Sequence, residues 1–331
     1  MTDLPENALP HAVALSWGVA ELPQRGPKRE LSIERIVESA IEIADDEGLS
    51  AVSMSKVAAS LGYTTMSLYR YVTSKDDLLL LMQDAVLDVD LPQPPAKADW
   101  RGELREWVLF SLAVFRAHRW YTDVPITGVP VTPNQLRVVD SGLRCLRATG
   151  LTDHEKMATI LLASGFAMSV AKIERDMARS AESGTATGEL TAHLGSGYAR
   201  ILSELVTQER FPYLRPVILS GAYTDDGVAF DDTAFGLERL LDGVQHYLDT
   251  RDESAEPDAR PAEYDAAVER SEHYAKDPKV REIAKLRREA EAKAREADAR
   301  VRELAKRERE ALTKARERAA KSAEKQSRKQ R

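Results

Sequence analysis

Eight residues in one short stretch have the types and spacing to do chemistry together: Ser53, Ser55, Thr64, Thr65, Ser67, Tyr69, Tyr71 and Lys75. Seven are hydroxyls and one is a cation. From Gly48 to Lys75 the sequence contains no acidic residue, although the whole chain carries a formal net charge of −7. Hydroxyls and ammonium groups donate to phosphate oxygens and to base edges, and a surface that approaches phosphates must avoid carboxylates. The chemistry on offer is therefore recognition of a polyanion rather than bond making.

Those groups need rigid elements to present them. Met54, Val57, Ala58 and Leu61 repeat at i, i+3, i+4 and i+7, the apolar stripe of a short helix, and Ser53 stands before it as N-cap. Gly62 ends that helix and Thr64 offers a second cap. A second helix is predicted over about 65–72, with Leu68 and Val72 facing the first and Thr65, Ser67, Tyr69, Arg70 and Tyr71 on its flanks and outer side. Two short helices joined by a tight glycine turn form the helix-turn-helix pattern.

Around it, Ile33, Ile36, Val37, Ala40, Ile41 and Ala44 predict a helix that starts after Ser32 and ends at Gly48, with Glu34, Glu38 and Glu42 on the opposite face. Ser74 and Asp77 form a capping box that opens a helix to about Val89. Residues 33–78 resemble the DNA-binding domain of the tetracycline-repressor family of bacterial transcription regulators. The resemblance rests on Glu47-Gly48, then Val57, Ala58, Leu61, Gly62, Leu68, Tyr69, Tyr71, Val72, Lys75, Asp77 and Leu78, with a weaker echo in FGLERLLDG from Phe235. It implies an all-α protein with an N-terminal three-helix DNA-binding domain and a helical ligand-binding and dimerisation domain. Ser53 and Ser55 match the family's first-helix contacts. Thr64, Thr65, Ser67, Tyr69, Tyr71 and Lys75 match its recognition-helix positions, so Thr65 and Tyr71 are expected at base edges and Ser53, Tyr69 and Lys75 at phosphates.

The domains follow from composition. Residues 1–30 form a Pro-dotted leader whose VALSWG patch around Trp17 either folds back on a neighbour or stays mobile. Its Arg25, Lys28 and Arg29 make a basic arm that, as in helix-turn-helix relatives, is placed to enter a minor groove, or else stay a solvated flexible tail. The DNA-binding domain covers 31–90, and LPQPPAKAD marks the boundary. Residues 99–250 read as helices at about 100–118, 134–148, 153–180, 188–209 and 232–249. The segment Met157–Ile173, apolar nearly all round, is predicted at the centre of that domain. Trp107, Phe110, Trp120, Met157, Phe166 and Met168 are its candidate ligand contacts, a pocket that rests on the resemblance. Two stripes, one of Leu194, Tyr198, Ile201 and Leu205 and one of Leu237, Leu240, Leu241, Val244 and Leu248, are expected to form a four-helix dimer interface, or else to be buried within one subunit. A twofold dimer implies a palindromic operator on double-stranded DNA.

Residues 251–276 are a polar linker, and 277–331 form a charged tail. From Ala275 onward there are 21 Lys and Arg against 11 Asp and Glu, a balance of +10 that leaves −17 on the rest. Seven Glu residues precede a Lys or Arg by four, from Glu289–Lys293 to Glu324–Arg328, which predicts a solvated helix beyond the family's two-domain plan. Its Ala-dominated seam, from Ile283 to Leu304, is too weak for a strong coiled coil.

No uninterrupted apolar run reaches the ~18 residues of a spanning helix. The N-terminus lacks a basic start with a long apolar core. A cytoplasmic location without membrane attachment is expected. The lone Cys145 reads as a small buried hydrophobe, and six histidines without ligand spacing predict no metal, no cofactor and no enzyme. Where the tetracycline repressor itself has a pair of histidines, one of which helps hold the drug and its magnesium, this chain has Asp90 and Leu91. The effector implied is a different, largely apolar small molecule, released DNA being the response and repression the sign. An alternative stays open: a helical scaffold that acts through the charged tail and touches DNA only non-specifically.

Overall fold

The computed structural model describes residues 9–19, 31–97, 99–126, 128–182, 196–223, 231–251 and 277–290, with positions 293, 297, 300, 303, 304, 307 and 311. The described residues are helical, and no strand occurs among them. The chain divides into two units, Met1–Arg251 and Asp252–Arg331.

The head of the first unit contains α2 (Ile33–Glu47), α3 (Met54–Leu61), α4 (Thr65–Leu68) and α5 (Lys75–Ala85). Local chemistry sets their ends. Ser32, Ser53 and Ser74 each accept an amide of the following first turn, from Arg35, Lys56 and Asp77. Gly62 takes φ +76, and the amide of Tyr63 donates back to the Ala58 carbonyl at 2.9 Å. Ile36, Val57, Leu68, Val72, Leu78 and Met82 are fully buried between these helices. Burying one such side chain contributes about 1.5–3 kcal/mol, and this shared core stabilises short helices that would be marginal alone.

Three expectations shift here. The second helix of the motif ends at Leu68, because the Tyr71 amide donates to the Leu68 carbonyl in a tightened turn rather than continuing the α pattern. Helix α5 stops at Ala85, where Leu87 and Asp88 likewise bond back three residues. The leader contains a helix, α1 (His11–Ser16), whose Ala12 and Val13 are buried and which packs on α5. Arg25, Lys28 and Arg29 lie outside the described residues.

The body is built from α6 (Trp100–Ala117), α7 (Pro133–Cys145), α8 (Asp153–Glu182) and α11 (Asp232–Thr250). Helix α8 lies along α6, and a 3₁₀ turn, Arg119–Asp123, packs on both. Two glycines let helices approach closely. A Cβ on Gly142 would stand 2.9 Å from Ile160 and 3.0 Å from Trp107, and one on Gly236 would stand 2.9 Å from the Phe166 ring.

Helix α8 does not sit at the centre of the body. Ile160, Ala163, Ala167, Ala171 and Arg175 form its buried stripe, while Leu161, Leu162, Ile173 and Met177 are exposed on other faces, Leu161 by 74%. Over Asp153–Ser180 it is long and apolar enough to cross a membrane by length and composition. The stripe packed on α6 marks it as a helix half covered by its own domain. The helix expected over 188–209 appears as α9 (Ser196–Leu205), followed by an unforeseen α10 (Leu214–Leu219) after Pro212, which cannot extend the preceding segment as helix. Leu194 and the side chain of Tyr198 lie outside what is described.

In the second unit, α12 spans residues 278–290, and Asp277 caps it by accepting the amides of Lys279 and Val280. Val280, Ile283 and Leu286 are exposed. Of the seven predicted pairs, Glu303–Arg307 forms at 2.6 Å, Glu289 pairs instead with Lys285 at 3.9 Å, and the other five include residues that are not described.

Candidate nucleic-acid interface

The outer surface of the head is assembled by α3, its glycine turn and α4. Ser53 is already engaged as a cap and lies 3.2 Å from the Ser55 hydroxyl. Thr64 and Ser67 share a hydrogen bond of 3.0 Å that closes the first turn of α4. Ser55, Thr64, Tyr69 and Lys75 are exposed, whereas Thr65 and Ser67 are half-buried. Tyr71 is half-buried and packs on the core, which leaves its hydroxyl a narrower reach than that of Tyr69. Sequence reasoning placed Arg70 on the outer side without assigning it a contact and passed over Met66. Both are exposed, Met66 by 74%. Glu47 is ion-paired with Lys56 at the base of α3, and the exposed Asp76 directly follows Lys75 at the edge of this surface.

Behind this surface the head is fixed to the body at two places. The Asp45 carboxylate at the end of α2 accepts the Trp120 indole N–H at 2.7 Å and faces His118 Nδ1 at 3.1 Å. A carboxylate only accepts, so the His118 proton sits on Nδ1. The turn bearing these two residues is held from the other side by Arg175, 4% exposed, which donates to the Arg119 carbonyl at 3.0 Å and the Thr122 hydroxyl at 2.6 Å and pairs with Asp123 at 2.9 Å. A buried guanidinium persists only when so fully partnered. At the second place, Asn134 of α7 bonds Asp84 of α5, Arg137 bonds Asp88 at 3.3 Å, and Arg144 donates to the Pro92 carbonyl at 2.6 Å.

Comparison with known proteins decides what this arrangement is. Residues 36–82 match the bacterial regulatory proteins of the tetR family, and residues 91–248 match the tetracyclin repressor-like C-terminal domain. The HTH-type transcriptional repressor DrrR1 of Streptomyces coeruleorubidus is 35% identical over 232 residues, which span 70% of this chain and 83% of that repressor. The chain belongs to the TetR family. Crystal structures of the TetR protein ActR from Streptomyces coelicolor superpose on it, the apo form with a TM-score of 0.53 and 28% identity over 66% of this chain and 98% of ActR. The complex of ActR with actinorhodin gives 0.52 and 28% over 66% of this chain and 99% of ActR. As a TetR member the protein is a transcriptional regulator and not an enzyme.

The six candidate ligand contacts fall into three groups here. Trp107 and Trp120 are core residues, 3% and 1% exposed, with their indole N–H groups satisfied by Val138 and Ser141 and by Asp45. Met157 faces outward on α8. Phe110, Phe166 and Met168 remain half-buried against the core, the position from which a side chain can still meet a ligand. Leu237 and Leu241 are buried within the protomer, Leu240, Val244 and Leu248 are half-buried, Ile201 is half-buried, and Leu205 is exposed. Burial pushes the Cys145 thiol up to about 11, so it stays protonated and packs as a hydrophobe. Among the described residues no group of His, Cys, Asp or Glu could hold a metal ion.

Proposed function

We propose that this TetR protein is a homodimeric repressor that reads a palindromic operator with paired α3–α4 heads and lets go when a small, largely apolar effector enters the body. The observation that carries the reading is the acid-free stretch around α4, where Met66, Tyr69 and Arg70 are exposed beside Thr65 and Lys75 is exposed at the start of α5. Ser53, Tyr69 and Lys75 meet phosphates. Thr65 meets a base edge, joined by Met66 and by Tyr71 as far as its packing allows.

Dimerisation uses a different pair of helices from the one the apolar periodicity suggested. Leu237 and Leu241 serve the protomer's own core, while the outer face of α8, with Leu161, Leu162, Ile173 and Met177, has the apolar surface that a second copy would cover. Helix α8 with the half-buried Leu240 and Val244 of α11 makes the twofold bundle. Leu161→Asp is expected to leave the protomer folded and to convert the dimer to monomer in sedimentation velocity; a dimer unchanged by it would remove α8 from the interface.

DrrR1 is a repressor and ActR binds actinorhodin and (S)-DNPA, which supports the sign of regulation and names the first effectors to try. The test is selection of bound sequences from a random duplex pool at ~0.15 M salt, since affinity of this kind depends on salt. An enriched palindrome released by such a compound is expected. Absence of any enriched sequence would overturn the reading, and a bound palindrome that no apolar compound releases would overturn its effector half. The regulator works in the cytoplasm, where its operator is.

A further inference from the structure

Helix α7 is capped from outside itself. Thr132 occupies its N-cap with φ −93 and ψ 154, the extended backbone that an N-cap requires, yet its hydroxyl accepts no amide of the first turn. That hydroxyl is wholly buried and has no hydrogen-bond partner. One of the two first-turn amides an N-cap can serve is taken by another helix: Asn134 N–H donates to Asp84 Oδ1 at 2.8 Å, and the Asn134 side-chain amide donates to Asp84 Oδ2 and to the Asp84 carbonyl, each at 3.2 Å. Asp84 lies in the last turn of α5 and is 8% exposed. A residue of suitable type and backbone stands idle beside the job, while a carboxylate from the head does it.

We propose that the α5–α7 junction is a two-position cap switch, in which Asp84 caps α7 when the head is docked and Thr132 takes over the same amide when α5 withdraws. Each position leaves a different group satisfied. Docked, the Asn134 amide is bonded and the Thr132 hydroxyl is orphaned; undocked, the hydroxyl is bonded and Asp84 is free to be hydrated. Burying an unpaired hydroxyl is unfavourable and so is stranding a helix amide, and the switch trades one against the other instead of suffering both. The barrier to moving α5 is thereby lowered without loosening α7. The contacts that part with Asp84 are the Asp88–Arg137 pair, the Arg144 bond to Pro92, and, through α1, the Trp17 indole bond to the Val131 carbonyl at 2.9 Å, one residue before Thr132. The inference takes from the regulator reading only that α5 carries the head; its test needs no DNA.

The test is hydrogen exchange, read by mass spectrometry over residues 132–138 of the full-length protein. Asp84→Ala is expected to speed exchange of the first-turn amides by no more than about threefold, because Thr132 replaces the lost cap. Adding Thr132→Val should speed it a further ~10-fold, the worth of an N-cap, whereas adding Thr132→Ser should change little. Equal exchange in Asp84→Ala with and without Thr132→Val would overturn the proposal. Should Asp84→Ala fail to fold, Thr132→Val alone decides: a melting temperature at or above wild type is expected from removing an orphaned hydroxyl, and a fall would mean that Thr132 already caps α7 in the docked state, which also overturns it.

Discussion

The head and the body solve their positioning problems over different sequence distances. All eight candidate contact residues of the head fall between Ser53 and Lys75, and each is placed by a cap or a helical offset of three or four residues. The body, and its junction with the head, are joined by pairs far apart in sequence: Arg101 and Arg105 of α6 with Glu238 of α11 within the body, and Asp84 with Asn134 and Asp45 with Trp120 at the junction. A locally encoded surface should fail when one turn fails. A body held by many distant contacts should fail when its core does.

Leu241→Ala puts the second half of that contrast to its hardest test. The side chain is wholly buried, and truncating such a leucine costs about 2–5 kcal/mol, so the melting transition of the body should drop steeply. If operator affinity, measured well below that transition, stayed within a few-fold of wild type, the two regions would be as separable as their encoding implies. Gly62→Val is the counterpart in the head. No atom lies within 4 Å of the added Cβ, so its cost comes from the backbone alone, about 1–2 kcal/mol for a residue at φ +76. Thermal stability should fall less than in Leu241→Ala while specific DNA binding is lost, and retained binding would show that the turn is not what aims α4. Finer resolution comes from Lys75→Ala and Thr65→Ala. The first should weaken all duplexes by a similar factor and lower the salt slope by about one, and the second should alter sequence preference; equal effects of both on specific and random DNA would refute the division of roles.

The smallest effect is electrostatic. Hydrogen bonds from Arg105 and then Arg101 hold the Glu238 carboxyl down to about 2, below its ordinary 4.5. A carboxyl lowered on folding adds stability above its unfolded value, and that contribution is lost as pH falls from about 4.5 towards 2. Glu238 is a third exposed, so solvent screens the gain. Glu238→Gln should lower neutral stability slightly, by the same small amount by which it flattens the acid limb of a melting-temperature profile between those values. An unaltered limb would show that the α6–α11 cluster is ornamental.

What could be read from the sequence follows the same division. Ser32, Ser53, Gly62 and Ser74 announced the ends of the head's helices because capping involves only neighbours in the chain. The early ends of α4 and α5 escaped because tightened turns at Tyr71 and Leu87 leave no mark in the apolar period. Helix α1 escaped because six residues after Pro10 carry too little pattern, although Trp17 hinted at a contact. For α8, composition correctly gave a helix apolar on several faces but could not say which chain covers each of them. Trp107 and Trp120 looked like pocket residues because an aromatic on a helix has the same pattern in a core as beside a ligand. Their hydrogen bonds to Val138, Ser141 and Asp45 come from residues 31 to 75 positions away, beyond any local reading. Asp84 as the cap of α7 was hidden for the same reason.

The bond network around Asp45 bears on anyone who would recombine parts of such regulators. Grafting this head onto a relative's body would carry Asp45 away from His118 and Trp120 and leave its carboxylate facing whatever that body happens to offer. The structural unit is therefore longer than the DNA-binding domain: residues 33–85 keep their contacts only together with the patch 118–120 and with Asn134 of α7, and a hybrid that moves the head alone would leave Asp45 and Asp84 without these partners.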